Sequence, residues 1–334
     1  MIPQSRNLDL RKILERYPAR YQAESAPGLP SVFQQAAGGF SGARIWRVET
    51  AAGPCALRST HSSAVDVRRL AGLHRLVAHV CAAGVTQVPV PITARDGTMF
   101  FESDAQVWQL EPWMPGAADY CKNSNAARLA AAMICLARWH RAAAQFQPRE
   151  SERAWFFAAP SGRSPGLAER AREIVRRDRQ QCDMIRRRLV ASVWKEFADL
   201  GEKIIDRFVR LAPRIDLQLK LGLDAEVALQ PCLRDVWHDH VLFTGDEVTG
   251  LIDSHAARSD SVATDLARLL GSLVGDDRAG WETGLAAYQT VRALSLGELA
   301  LVELFDQSAN GLIRGKTGFP AGTVVANQTS QQAG

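Results

Sequence analysis

Apolar residues recur with two different periods along this chain, and the change of period divides it. Leu8, Leu10, Ile13 and Leu14 stand at helical spacing among charges, which predicts an amphipathic helix within residues 1–25, broken by Pro27, Gly28 and Pro30. The segments then become short and bounded by turns. Val32-Phe33, Ile45-Trp46-Arg47-Val48 and Cys55-Ala56-Leu57 read as strands around the glycine-rich stretch GGFSG at 38–42. Ala64 to Ala83 returns to helical spacing and stops at Gly84, a C-terminal cap. VPVPI at 88–92, the aromatic pair at 100–101 and VWQLEPW at 107–113 predict more strand, so residues 31–113 are expected to be antiparallel β with one helix.

After Pro115-Gly116 the pattern is helical at 125–145, 166–192 and 193–212. A hairpin interrupts at 240–252, where HVLFT and VTGLI flank a GDE turn; helical spacing resumes at 262–275, 278–293 and 296–308. The polar end, AGTVVANQTSQQAG, predicts a frayed tail. The expected class is α+β, a small β-rich lobe followed by a larger, mainly helical one. Its divisions are an N-terminal helical extension at 1–29, an N-lobe at 30–114, a C-lobe at 115–315 and a flexible tail at 316–334.

Composition narrows the class. With 46% hydrophobic and 23% charged residues over 334 positions, the chain has the balance of a water-soluble protein with a sizeable core. A net charge of +4 without a lysine block gives little support to nucleic-acid binding. Six scattered cysteines lacking a C-x-x-C pair fit reduced, buried thiols, and a charged N-terminus without an apolar core does not resemble a secretory signal. No run of about 18 apolar residues predicts a membrane span, so the cytoplasm is the expected location.

The chemistry concentrates in Leu233-Arg234-Asp235-Val236-Trp237-His238-Asp239-His240 and in Gly250-Leu251-Ile252-Asp253. Asp235 precedes one strand of the predicted hairpin and Asp253 ends the other, so both carboxylates can face one cleft. Phosphoryl transfer requires that pair of roles: one carboxylate orients the attacking hydroxyl and accepts its proton, and another holds a divalent cation against the nucleotide phosphates.

This segment resembles the catalytic and metal-binding loops of the aminoglycoside phosphotransferase/choline-kinase-like family. Other stretches agree in order: GGFSG with the nucleotide loop, Ala56-Leu57-Arg58 with the strand bearing a phosphate-contacting cation, and VPVP at 88–91 with the entry to the next strand. LEPWMPG at 110–116 matches the hinge, LARWHRAA at 136–143 a helix, and Asp265 a structural aspartate of the C-lobe. The resemblance spans roughly residues 30–290 and implies a protein-kinase-like two-lobed fold. It further implies an ATP-dependent phosphotransferase acting on a hydroxyl of a small-molecule metabolite. Asp235 would be the catalytic residue, and Asp253 with His240 the ligands of Mg²⁺ or Mn²⁺. Gly38, Gly39, Ser41, Gly42 and Arg58 would meet the phosphates, and the backbone at Glu111 and Trp113 the adenine.

The family's histidine and glycine before the catalytic aspartate are Leu233 and Arg234 here, its asparagine is His240, and its lysine is Arg58. The helix at 64–84 offers no glutamate to hold that cation; its only carboxylate is Asp66. These departures motivate a second reading, a kinase-like protein that binds a nucleotide or metabolite with little or no transfer. His238 and His240 fall on one strand face, yet no further cluster completes a zinc site. His140 reads as a core histidine, and Trp108 and Trp113 either stack on adenine or pack the hinge. The arginine-dense stretch 166–192 reads as a solvated face. Its sign opposes a polycationic acceptor and leaves a neutral or anionic one.

Overall fold

The structure, a computed structural model, describes residues 10–22, 33–36 and 42–310. A short helix α1 (Leu10–Leu14) precedes a five-stranded antiparallel sheet of β1 (Phe33–Gln35), β2 (Arg44–Thr50), β3 (Gly53–His61), β4 (Phe101–Ser103) and β5 (Gln106–Pro112), ordered β1-β2-β3-β5-β4. Alternation along β2, β3 and β5 turns Trp46, Val48, Cys55, Leu57, Trp108 and Leu110 into one apolar cluster with Ile13, Leu14 and Tyr17. Five residues are too few for an autonomous helix. Burial, at about 1.5–3 kcal/mol for each large side chain, is what secures α1 to the sheet.

Helix α2 (Val67–Ala82) lies between β3 and β4 in sequence. The Asp66 carboxylate accepts from the amides of Arg68 and Arg69, capping it, and Gly84 leaves it in the left-handed region at φ +98°. Its buried face, Leu70, Leu73, Leu76, Val77 and Val80, belongs to the apolar cluster of the helical lobe rather than to that of the sheet.

That lobe is built from α3 (Ala126–Ala143), β6 (Ala159–Arg163), α4 (Pro165–Arg176), α5 (Arg179–Val190), α6 (Lys195–Gly222), β7 (Glu226–Cys232), the hairpin β8 (Val241–Thr244) and β9 (Glu247–Leu251), β10 (Arg258–Asp260), α7 (Ala263–Val274), α8 (Arg278–Gln289) and α9 (Leu296–Asn310). Strands β10, β7 and β6 form a second antiparallel sheet with β7 in the middle. Among the described residues no helix is long and apolar enough to cross a membrane.

Three expectations are corrected. VPVPI at 88–92 is not a strand: Pro89 and Pro91 lack amide hydrogens, and the bonds flanking them run from the Leu251 amide to the carbonyl of Gln87, just before the segment, and from the Ile92 amide to the Leu110 carbonyl, both 2.7 Å. The helix expected over 166–192 is two, because the Asp178 side chain caps α5 by accepting from the Gln181 amide. Helix α6 runs ten residues past the expected end at 212, with Pro213 inside it. Strands β6, β7 and β10 were not legible as strands. Of the N-terminal helix expected within 1–25, the described part is α1 and a 3₁₀ turn at Ala19–Tyr21.

Candidate active site

The loop after β7 carries Asp235, and a buried carboxylate holds it. Asp265, in the first turn of α7 and fully buried, accepts the amides of Leu233 at 2.7 Å and Arg234 at 2.6 Å. The same carboxylate accepts from His140 Nε2 at 3.0 Å. His140 Nδ1 is then the acceptor for the Tyr288 hydroxyl at 2.9 Å. Burial lowers the His140 pKa and so favours the neutral ring, and its two partners set the tautomer. His140 is thus a satisfied core histidine, but its partner is the carboxylate that sets the loop.

At the position of the family's glycine the backbone is left-handed: Arg234 has φ +65°. A β-carbon makes that conformation cost about 1–2 kcal/mol. Two features offset it. Asp265 takes the Arg234 amide, and the Arg234 guanidinium reaches Asp260 at 3.1 Å and Glu169 at 2.5 Å. Asp260 is fully buried and also accepts from the Ser164 hydroxyl at 2.5 Å and the Gly166 amide at 2.8 Å, so it fixes Arg234 and the start of α4 together.

Beyond this point the site opens. The Asp235 carboxylate is half-exposed and paired with the Arg268 guanidinium from α7. His240 lies between the two aspartates: its Nδ1 donates to the Asp235 carbonyl at 2.7 Å, and its own carbonyl accepts the Ile252 amide at 2.9 Å. Its Nε2 accepts from the Trp237 indole at 2.9 Å and lies 3.7 Å from Asp253 Oδ2. Both ring nitrogens are therefore engaged.

Asp253 follows β9 in a left-handed conformation, φ 60°. Its Oδ1 stands 3.4 Å from His255 Nδ1 and 3.8 Å from Arg58. Chiefly His255, then Arg58 and His240, hold its pKa at about 2 against the opposing effect of burial. The carboxylate is ionised, partly exposed, and has no neighbour at tight ion-pair distance among those contacts. That donor fits Mg²⁺, which is ordinarily held by one or two carboxylates together with phosphates and water.

Arg58 is buried on β3, with Glu111 at 3.9 Å and Asp253 at 3.8 Å, and its Nε has no hydrogen-bond partner among the described residues. The Trp113 amide donates to the Pro54 carbonyl at 3.0 Å, and its ring is covered by the Arg47 guanidinium at 5.5 Å. Trp108 is a fully buried packing residue, stacked on Trp46. Gly38, Gly39 and Ser41 lie outside the described residues; Gly42 is left-handed, φ +71°, with open space around it.

Sequence reasoning missed a polar connection from α2 to the Asp253 loop. His74 Nε2 donates to Gln109 Oε1 at 3.0 Å, and Gln109 Nε2 donates to His255 Nε2 at 3.0 Å. His255 Nδ1 then carries the ring hydrogen and lies 3.4 Å from Asp253 Oδ1, without a hydrogen-bond partner among the described residues. Burial lowers the His74 pKa to about 4, so its ring is neutral at ordinary pH. From the same helix Arg69 donates to the carbonyls of His255 and Ala257. Arg69 and His74 thus tie the helix to the Asp253 loop. The one signal in the sequence was the position of His255, two residues after Asp253.

The phosphotransferase enzyme family matches residues 32–299 of the chain. A homoserine kinase of Methylobacterium nodulans is 39% identical over 80 residues, 22% of this chain and 25% of that protein. A homoserine kinase of Mesorhizobium japonicum is 27% identical over 240 residues, 70% of this chain and 64% of that protein. The chain thus spans a quarter and just under two thirds of these two relatives. Among solved structures, an amicoumacin kinase in complex with AMP-PNP and Ca²⁺ superposes with a TM-score of 0.60 at 14% identity, covering 91% of this chain and 83% of that one. At that identity the likeness shows the fold, a two-lobed kinase-like one.

Proposed function

Because the chain belongs to the phosphotransferase enzyme family, we propose that it transfers the γ-phosphoryl group of ATP to a hydroxyl of a small molecule, with Asp235 and Asp253 as its two working carboxylates. The observation that supports this most is the His240 bracket, which ties the Asp235 carbonyl to the strand end that presents Asp253.

In this reading Asp235 orients the acceptor hydroxyl and takes its proton as the oxygen attacks. The new P–O bond forms at the γ-phosphorus, the bond to the β–γ bridging oxygen breaks, and ADP leaves with that electron pair. Positioned proton acceptance of this kind contributes about 10²–10⁴-fold. A divalent cation, Mg²⁺ or Mn²⁺, would be held by Asp253 and would offset phosphate charge. His240 serves first as the bracket; it becomes a ligand only if the Trp237 indole releases Nε2. Arg58, short of close partners, neutralises phosphate oxygens, Gly38, Gly39, Ser41 and Gly42 approach them, and the strand around Glu111 and Trp113 borders the adenine. The homoserine kinase relatives make L-homoserine the first acceptor to assay.

The test is a thermal-shift titration with ATP, with and without Mg²⁺ or Mn²⁺, followed by a coupled assay of ADP release across small hydroxyl compounds. A metal-dependent rise in midpoint together with acceptor-dependent ADP release is expected. A rise without transfer to any acceptor would mean binding without catalysis, and no rise would remove the nucleotide site.

A further inference from the structure

The arginines gathered around Asp235 are of two kinds. Arg234 is committed, to the fully buried Asp260 and to Glu169. Arg268 reaches Asp235, and both groups of that pair are about half exposed, 48% and 44%. Arg170, on α4 beside Glu169, has no hydrogen-bond or ion-pair partner among the described residues. Its charged neighbours are Arg268, Arg234 and Arg177, and burial with their repulsion lowers its pKa. An exposed arginine face needs no explanation, because water solvates it. A half-buried guanidinium without an acidic partner does, since it has given up water without gaining a counter-charge.

The two pairs also differ in how readily they exchange. Withdrawing Arg234 would strand the buried Asp260, which is costly. An ion pair between half-exposed groups contributes little, so Arg268 can leave Asp235 at small cost. Guanidinium groups present paired N–H donors that match the two oxygens of a carboxylate. The Arg268 charge sits at Asp235, where an acceptor must lie if its hydroxyl is to be deprotonated.

We propose that Arg170 and Arg268 form a recognition site for an anionic group on the acceptor, a carboxylate in preference to a phosphate, and that Arg268 leaves Asp235 to engage it. This rests on the reading of Asp235 given above. The acceptor class is then hydroxy acids and hydroxy amino acids. Until such an acceptor arrives Arg268 occupies the base, which disfavours activation of water. When the acceptor's own anion draws Arg268 away, Asp235 is uncovered beside the hydroxyl it must deprotonate.

Two measurements on the full chain test this. The first compares kcat/KM for L-homoserine with that for L-homoserinamide, which keeps the hydroxyl and the amine but replaces the carboxylate by a neutral amide. The parent should prefer the acid by about 100-fold, and R170Q and R268Q should each remove most of that preference while nucleotide affinity stays the same. R268Q should in addition hydrolyse ATP faster without acceptor, a change that loss of packing would not produce. An unchanged acid-to-amide ratio in both variants would overturn the proposal.

The second measurement needs no turnover. The Arg170 and Arg268 side-chain N–H resonances, assigned by those two variants, are titrated with 4-hydroxybutyrate and with inorganic phosphate. Saturable shifts with 4-hydroxybutyrate support the site even if no acceptor is phosphorylated, in which case the kinase reading fails alone. Tighter binding of phosphate would overturn the carboxylate preference, and no shift with either would overturn the anion site.

Discussion

The two walls of the cleft are built on opposite principles. The loop leading to Asp235 is anchored by Asp265, whose carboxylate takes two backbone amides and the His140 ring in a fully buried setting. Across the cleft Arg58 faces Glu111 and Asp253 only at 3.8–3.9 Å, with its Nε unpaired among the described residues. One wall is complete in the protein alone; the other leaves charge for a ligand to complete. The contrast assigns the burden of geometry to the Asp265 anchor and the burden of electrostatics to Arg58 and Asp253, which meet from the two lobes.

Removing Asp265 should do most damage. Asp265→Ala leaves two amides and His140 without their acceptor in the core, and about 3–5 kcal/mol of stability should be lost, read by urea unfolding. A loss under about 1 kcal/mol would mean that the loop does not depend on this anchor. Asp253→Ala should show a different profile: a smaller loss in the apo protein, about 1 kcal/mol because the carboxylate is partly exposed, with metal-dependent stabilisation by ATP abolished. If calorimetry finds ATP·Mg²⁺ binding equally to parent and variant, the open wall has been assigned wrongly.

Arg234 offers a finer cut, since both replacements lose the pairs with Asp260 and Glu169 but only one keeps a β-carbon at φ +65°. Arg234→Ala should be less stable than Arg234→Gly by about 1 kcal/mol in the same unfolding measurement. Equal stabilities would show that the left-handed turn relaxes.

A separate effect is on pH dependence. The His74 pKa in the folded protein is about 4, below the ordinary 6.5, so the unfolded chain binds a proton first as pH falls. Its contribution is complete above pH about 6.5 and is lost progressively towards pH about 4. His74→Gln should flatten the thermal midpoint against pH in that window; a profile identical to the parent's would place the acid sensitivity elsewhere, with His140, whose pKa is shifted the same way, the next to replace.

The fold was legible wherever local signals agreed. The cap at Gly84, the alternation in β2, β3 and β5 and the Gly245 turn between β8 and β9 all follow from residues within a few positions of one another. Periodicity misled at 88–92, where the apolar pattern was right but alternate residues lacked the donor a strand needs. The two aspartates and Arg58 were also legible, as positions in an ordered set of motifs. Their partners were not. Arg268, Gln109, His74 and Arg69 meet the site across 33 to 186 residues of chain, and no spacing rule reports such encounters. The arginine-dense stretch shows the same limit, because composition cannot separate its exposed arginines from a half-buried one such as Arg170.

The hydrogen-bond directions around the cleft have a spectroscopic consequence. His74 and His140 carry their proton on Nε2, because each donates from that atom to an oxygen. His240 and His255 carry theirs on Nδ1, because Nε2 of each accepts from an N–H. The ¹⁵N shifts of the two tautomers are well separated, so the four imidazoles sort into a pair buried among helices and a pair flanking Asp253. A ligand arriving at the open wall would be visible as a change in His240 and His255, passed to His74 through Gln109, while His140 stays still, an internal reference supplied by the chain itself.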